Sequence, residues 1–544
     1  MSNAFQHTGN GERNVAEWDL KAKVAQLFVV GFRGTTPDDA VREFAADGVG
    51  GVIYFARNVE NPEQVADLSR SLQRTAAEND APPLLVSIDE EGGIVSRLPW
   101  AGRLPGGMTV GATRDPDLAE RAGAAKAREL RAVGVNVDLA PVLDVNNNPD
   151  NPVIGVRSFG EDPELVSELG AATAEGFESE NVVACGKHFP GHGDTDTDSH
   201  LDLPVIDHDR DRLDRVELAP FRAAIEADIG AIMTTHVAFP AFTDDAERPA
   251  TLSKSVLTGL LREDLGYDGL IATDCMEMNA IADTVGTPEG AVQAVEAGCD
   301  LVMVSHTPET QRAAIDAVVE AVESGRIAER RIEESVRRIL RTKREYDIGE
   351  SSPDYDSWAD ANDESKRVAR RIAEQGVTLV RDRDANLPVG DGEIRVVQFP
   401  GGAGSEVEES GADAGAFVER LRECVADREG ETAVEVQTLD GESAAPSAAD
   451  SLEIDPGADE TVVVCTRNAA ANSAQAEVVS QVSNSDANLV VVAIRNPYDL
   501  SAFPEVSTYL TTYDDAPISL AVAAEIVAGE REAQGRLPVT IPDE

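Results

Sequence analysis

Five of the seven histidines in this chain stand where short apolar runs give way to polar loops: His188, His192, His200, His236 and His306. His188 follows Lys187 at the end of VVACGKHF and leads into FPGHGDTDTDSHLDLP, which adds His192, Asp194, Asp196, Asp198 and His200. Carboxylates occupy similar places, with Asp89, Glu90 and Glu91 closing LLVSIDEEGG and Asp274 closing GLIATDCM. In a chain with 100 Asp+Glu, carboxylates near a loop carry little information, whereas gathered histidines carry more. Imidazole beside carboxylate is the material of proton transfer, of metal ligation, or of a plain loop salt bridge, and the residue types alone leave all three open.

The elements that must position these groups read as alternating strands and helices from residue 20 to about 345. Eight apolar runs are candidate strands: 24–32, 50–55, 84–93, 136–145, 182–189, 231–239, 269–276 and 300–306. Helical patterns lie between them at 61–78, 116–134, 163–180 and 214–230, and a long charged helical stretch follows the eighth run. Near-continuous apolar strands alternating with helices indicate a parallel sheet covered on both faces. Eight such units predict an α/β fold of the (β/α)8 barrel type, with a doubly wound open sheet as the alternative. In a barrel, chemistry belongs at the C-terminal strand ends, where the histidines are.

The expected organisation is a barrel domain over 1–348, an acidic linker over 349–364 and a smaller three-layer α/β/α sandwich domain over 365–544. Strands of the second domain are expected at 376–381, 393–399, 460–467 and 488–494, and the Ala/Ser/Gly-rich stretch 431–459 is assigned no structure.

The formal net charge is −53, and the 47 basic residues comprise 40 Arg and only 7 Lys. The acid is spread along the whole chain, and no clustered basic face offers itself to phosphates or anionic headgroups. Nucleic acid and membrane surfaces are therefore not expected as partners. Regular apolar runs exclude disorder as the explanation of the acidity. Scarce lysine together with abundant carboxylate points instead to a salt-adapted, halophilic protein, whose self-repulsion is screened by its solvent. The five cysteines are scattered, lack a CxxC pair and read as small core residues or free thiols. The N-terminal MSNAFQHTGNGERN has no apolar signal region and no run reaches membrane-spanning length, so a soluble cytoplasmic protein is expected.

The run KHFPGHGDTDTDSHLDLP (187–204) resembles the signature of glycoside hydrolase family 3, in its β-N-acetylglucosaminidase branch. The same resemblance covers IDEEGGIVSRL (88–98), GVRSFGEDP (155–163), PATLSKSVLTGLLREDLGYDGLIATDCMEMNAI (249–281), AVEAGCDLVMVSH (294–306), and RNPYDL and GRLPVTIP in the second domain. It implies a retaining glycosidase with Asp274 as nucleophile and His200, paired with Asp198, as acid/base. An i, i+2 pair in an extended loop lies on one side of the chain, and a carboxylate beside an imidazole orients it and raises its pKa. The resemblance further implies Asp89, Arg97, Arg157, Lys187 and His188 as sugar-binding residues, although either arginine could be a structural ion pair in so acidic a chain. His192 and Asp194 are assigned to shaping the loop. No metal and no cofactor are expected, because this glycosidase chemistry needs no Lewis acid. Cys275, next to the expected nucleophile, departs from the Asp or Ala common there.

The implied activity is removal of terminal non-reducing N-acetylglucosamine from a neutral carbohydrate. The alternatives are a β-glucosidase or β-xylosidase of the same family, a glycoside phosphorylase, and a non-catalytic glycan-binding protein. The FPGHGDT…DSH loop argues against the first, and the presence of both Asp274 and His200 argues against the last.

Overall fold

The computed structural model describes residues 12–100, 102–196, 203–243, 245–349, 353, 355–399, 414–426, 428, 432–439, 456–457 and 460–542. Eight parallel strands close on themselves in chain order: β1 (Phe28–Gly31), β2 (Gly51–Tyr54), β3 (Leu85–Ile88), β4 (Val137–Asp138), β5 (Val183–Phe189), β6 (Ala231–Thr234), β7 (Leu270–Cys275) and β8 (Leu301–Val304). Closure is the pairing of β8 with β1, in which Val29 stands opposite Met303. This half of the chain is a (β/α)8 barrel, and every expected barrel run contains its strand. All strand positions are buried except the last two of β7, Asp274 and Cys275. A strand packed on both faces has no use for polar alternation, so that exception marks where the chemistry begins.

Three expectations in this half change, the first being the helix expected over 214–230, which is two helices, Arg210–Arg215 and Ala219–Glu226. The run from 24 opens with the end of a helix, Leu20–Ala25, and only then becomes β1. The long charged stretch after β8 is two helices, Pro308–Glu323 and Glu329–Glu345, interrupted at Gly325. That glycine takes φ +80°, the left-handed conformation that ends helices.

The second domain is a six-stranded sheet of β9 (Thr378–Asp382), β10 (Glu393–Gln398), β11 (Ala433–Thr438), β12 (Thr461–Thr466), β13 (Asn488–Ala493) and β14 (Thr508–Thr511). Their order is β11-β10-β12-β13-β14-β9, all parallel except β9 against β14. Alternate residues of β12 point into two different cores, Val462 and Val464 into one and Val463 and Cys465 into the other, so both faces are covered. Two strands were not expected. β11 lies inside the stretch to which no structure was assigned, and it is a largely exposed edge strand with only weak apolar alternation. β14, TYLT, is buried but mostly threonine and tyrosine. The acidic segment 349–364 is helical from Trp358, where the helix Trp358–Gly376 begins.

All five cysteines are free. Among the described residues no helix is long and apolar enough to cross a membrane.

Candidate active site

A cavity of about 540 Å³ opens at the C-terminal ends of the barrel strands. Its wall contains Asp89, Arg97, Arg157, Lys187, His188 and Asp274, and thus every described residue among those expected to bind sugar or attack it. Asp198 and His200 fall in the segment 197–202, outside the described residues.

Three charged residues of the wall, Asp89, Arg157 and Lys187, form a group with a fourth, Glu91, which is not itself part of the lining. Lys187, at the end of β5, is buried and donates from Nζ to Asp89 Oδ1 at 2.7 Å. The same ammonium lies 2.7 Å from Glu91 Oε1. Glu91 also accepts Arg157 Nε at 2.9 Å and Nη2 at 2.7 Å, while Arg157 Nη1 donates to the Val153 carbonyl at 3.0 Å. Burial by itself would push the Glu91 carboxyl up, but Arg157 and Lys187 outweigh it and hold it well below the usual carboxylate range. Burial likewise opposes the charge on Lys187, and Asp89 and Glu91 reverse this and raise it. Two anions and two cations therefore cancel, leaving Asp89, the more open carboxylate, facing the cavity. A strand-end carboxylate of this kind can accept from two neighbouring hydroxyls of a sugar. Arg157 is thus both a structural ion pair and part of the wall.

Glu90 has a different task. Its carboxylate accepts Ser96 Oγ at 2.5 Å and the backbone N–H groups of Arg97 at 2.7 Å and Leu98 at 3.1 Å. It closes the loop that brings Arg97 to the cavity. The loop is fixed to the barrel where Lys126 donates to the Glu90 carbonyl at 2.6 Å and Asp138 accepts the Glu90 N–H at 3.0 Å.

His188 is oriented by Asp144, which sequence reasoning missed. Nδ1 lies 2.7 Å from Asp144 Oδ2, and Asp144 Oδ1 accepts the backbone N–H groups of His188 at 3.1 Å and His192 at 2.7 Å. Burial would raise the Asp144 carboxyl, yet His188 and these bonds hold it below the ordinary value. His192 also lines the cavity, with Nδ1 2.9 Å from Thr195 Oγ1, and burial together with the neighbouring His188 lowers it to about 4. Its ring is neutral near pH 7. Asn151 donates to the carbonyls of His192 and Gly193, both at 2.9 Å, so the loop after β5 leaves the barrel on a fixed path. Asp194 points away into His208 at 2.6 Å and Arg212 at 3.5 Å, in keeping with loop shaping. Among the described residues no group of three or more His, Cys, Asp and Glu side chains is placed to hold a metal ion.

Asp274 is the penultimate residue of β7, and its Oδ1 accepts the Cys275 N–H at 2.7 Å. Burial pushes the Cys275 thiol up to about 11. His236 is not part of the wall: it spans Thr251 Oγ1 at 2.9 Å and the Cys275 carbonyl at 3.0 Å, and so steadies the backbone next to Asp274. The same lining includes Phe55, which carries the Arg57 guanidinium 4.0 Å from its ring centroid and tilts against His306 at 5.3 Å. His306 in turn donates its N–H to Glu277 at 2.7 Å. A carboxylate at the end of one strand thus shares a cavity with the charged groups Asp89, Arg157 and Lys187 and with the flat rings of Phe55 and His306.

The family model "Glycosyl hydrolase family 3 N terminal domain" matches residues 19–342. The chain is 35% identical over 379 residues to β-hexosaminidase A of Pseudoalteromonas piscicida, an alignment covering 66% of this chain and 63% of that relative. The fold matches a glycoside hydrolase family 3 β-N-acetylglucosaminidase from Paenibacillus sp. str. FPU-7 with a TM-score of 0.89 and 43% identity, over 96% of this chain and 99% of that one. A fungal multi-domain β-N-acetylglucosaminidase of the family matches with a TM-score of 0.86 and 34% identity, over 96% of this chain and 61% of its own. The chain belongs to glycosyl hydrolase family 3, and its barrel and second sheet are laid out as in the β-N-acetylglucosaminidase from Paenibacillus.

Proposed function

We propose that this protein is a retaining exo-glycosidase that removes terminal, non-reducing β-linked N-acetylglucosamine. The observation that carries the reading is the shared wall of one cavity: Asp274 at the end of β7, with Asp89, Arg157, Lys187 and His188 brought around it from three other parts of the barrel. The 43% identity to a β-N-acetylglucosaminidase over nearly the full length of both chains supports the substrate.

In this reading the sugar's hydroxyls are held by Asp89, Lys187, His188, Arg97 and Arg157. Asp274 attacks the anomeric carbon, and the glycosidic C–O bond breaks as the leaving oxygen takes a proton from His200. The glycosyl–Asp274 ester is then opened by water, which gives its proton back to His200, so the product keeps the β configuration. Asp198 keeps the His200 ring oriented and favours its protonated form.

The test is a panel of p-nitrophenyl β-glycosides in molar KCl, comparing the N-acetylglucosaminide, glucoside and xyloside. Preference for the N-acetylglucosaminide, with free sugar as product, is expected. Preference for the glucoside or xyloside, or sugar 1-phosphate in phosphate buffer, overturns the reading.

A further inference from the structure

The charged wall of the cavity is braced from outside the barrel. Glu91 is followed by Gly92 and Gly93, then by Ile94 and Val95, which are buried in a cluster otherwise built largely on the second domain's sheet, with Val462, Val464 and Val491. Val156, the residue before Arg157, is buried in the same cluster. Both members of the Glu91–Arg157 pair are therefore chain neighbours of residues seated against the second domain.

A polar chain runs beside this apolar contact. Asp515, in the loop after β14, accepts Arg467 Nη1 at 2.8 Å and Arg103 Nη2 at 2.6 Å. Arg103 in turn donates to the Gly93 carbonyl from Nε at 3.0 Å and Nη2 at 2.6 Å. The neighbouring Asp514 accepts the Gly106 N–H at 2.8 Å and Thr109 Oγ1 at 2.5 Å. Gly93, at φ +54°, has no room for a side chain, since a Cβ would lie 2.6 Å from Gly106 Cα and 3.2 Å from Asp514 Cβ. The turn is pressed against the second domain.

A buried carboxylate between two guanidinium groups is favourable only in a narrow geometry, because desolvation opposes it. Such a contact fixes register more than it adds adhesion, which the apolar cluster already supplies. Neither Asp515 nor Arg103 is part of the cavity wall, so any effect passes through the turn.

We propose that the second domain is a positioning element of the sugar site: Asp515, acting through Arg103 and the Gly93 carbonyl, sets where Asp89 and Glu91 stand, and so where Lys187 and Arg157 meet the substrate. This rests on the reading that the cavity binds a sugar. A misplacement of about 1 Å at a binding wall costs up to ~10²-fold in efficiency, and contacts made equally in ground and transition states appear in KM.

The experiment compares full-length Asp515→Asn and Arg103→Lys with wild type, on whichever p-nitrophenyl glycoside the wild type hydrolyses best. The expected result is a KM raised ~10-fold by Asp515→Asn with kcat within about twofold, and a smaller rise in the charge-conserving Arg103→Lys. Wild-type KM in both variants overturns the proposal. So does a loss confined to kcat that follows the folded fraction, which is the mark of a purely structural contact. Should Asp515→Asn fail to fold, Arg103→Lys decides alone, and a wild-type KM there overturns the proposal. The wild type's own substrate preference tests the functional reading, whereas the ratio of variant to wild-type KM tests only the brace.

Discussion

Glu91 receives Arg157 through two parallel N–H···O bonds, 2.9 Å from Nε and 2.7 Å from Nη2, and both side chains are shielded from solvent. Sharing Oε1 with Lys187 makes this carboxylate the counter-ion of two cations at once. Glu91→Gln leaves both without it, and breaking a buried pair in this way costs about 3–5 kcal/mol. A lower melting temperature and a raised KM are expected from thermal unfolding and steady-state kinetics.

The same pair gives a pH signature. The folded-state pKa of Glu91 is depressed, so its contribution to stability is fully present above the unfolded value of about 4.3 and is lost as pH falls from there through the folded value. Melting curves of wild type and Glu91→Gln should converge as the medium is acidified below that point. Parallel curves down the acid limb would show that the pair does not titrate in this way.

Asp144→Asn tests the orientation of His188. The amide can still accept the backbone N–H groups, but loses the charge that meets Nδ1 at 2.7 Å. Weakening a charge-assisted hydrogen bond of this type costs about 1.5–3 kcal/mol, so kcat/KM should fall roughly 10- to 100-fold with the fold retained. Circular dichroism alongside kinetics distinguishes this from unfolding.

His200→Ala addresses the proposed acid/base. Loss of positioned proton transfer is typically worth ~10²–10⁴-fold. Natural oligosaccharides should suffer that loss, whereas aryl glycosides with activated leaving groups, which need little protonation in the first step, should suffer much less. Equal losses on both would remove His200 from the role.

Cys275 should be inert despite its position beside Asp274. With its thiol pushed up to about 11 by burial, the thiolate is scarce at neutral pH. Thiol titration of the native protein at pH 7.5 should leave Cys275 unmodified and the activity intact.

The barrel was legible because most of its strands are buried on both faces and largely apolar, and a continuous run such as LLVSI is hard to read otherwise. That placement put polar groups at the strand ends, while the roles expected of particular residues among them were implied by the family resemblance. What escaped was decided by tertiary structure. Nothing in the order of residues says that Glu91, and not its neighbour Glu90, reaches Arg157 and Lys187, or that Asp144 meets His188 from 44 positions away. His236 has the same strand-end placement as His188 and yet serves the backbone. β11 and β14 were hidden for opposite reasons, one exposed at the sheet edge and the other buried but written in threonine and tyrosine. The net charge of −53 lies outside this logic. It concerns the solvent, and unfolding followed from low to molar KCl should show stability rising with salt, as screening of the carboxylates requires.

In the proposed mechanism Asp274 forms a covalent bond to the sugar. A fluorinated N-acetylglucosaminyl fluoride, which slows turnover of a glycosyl-enzyme, followed by peptide mass spectrometry, tests it directly. A single label, on Asp274, is expected. A label on another residue, or complete turnover to the inverted sugar with no labelled peptide, would contradict it.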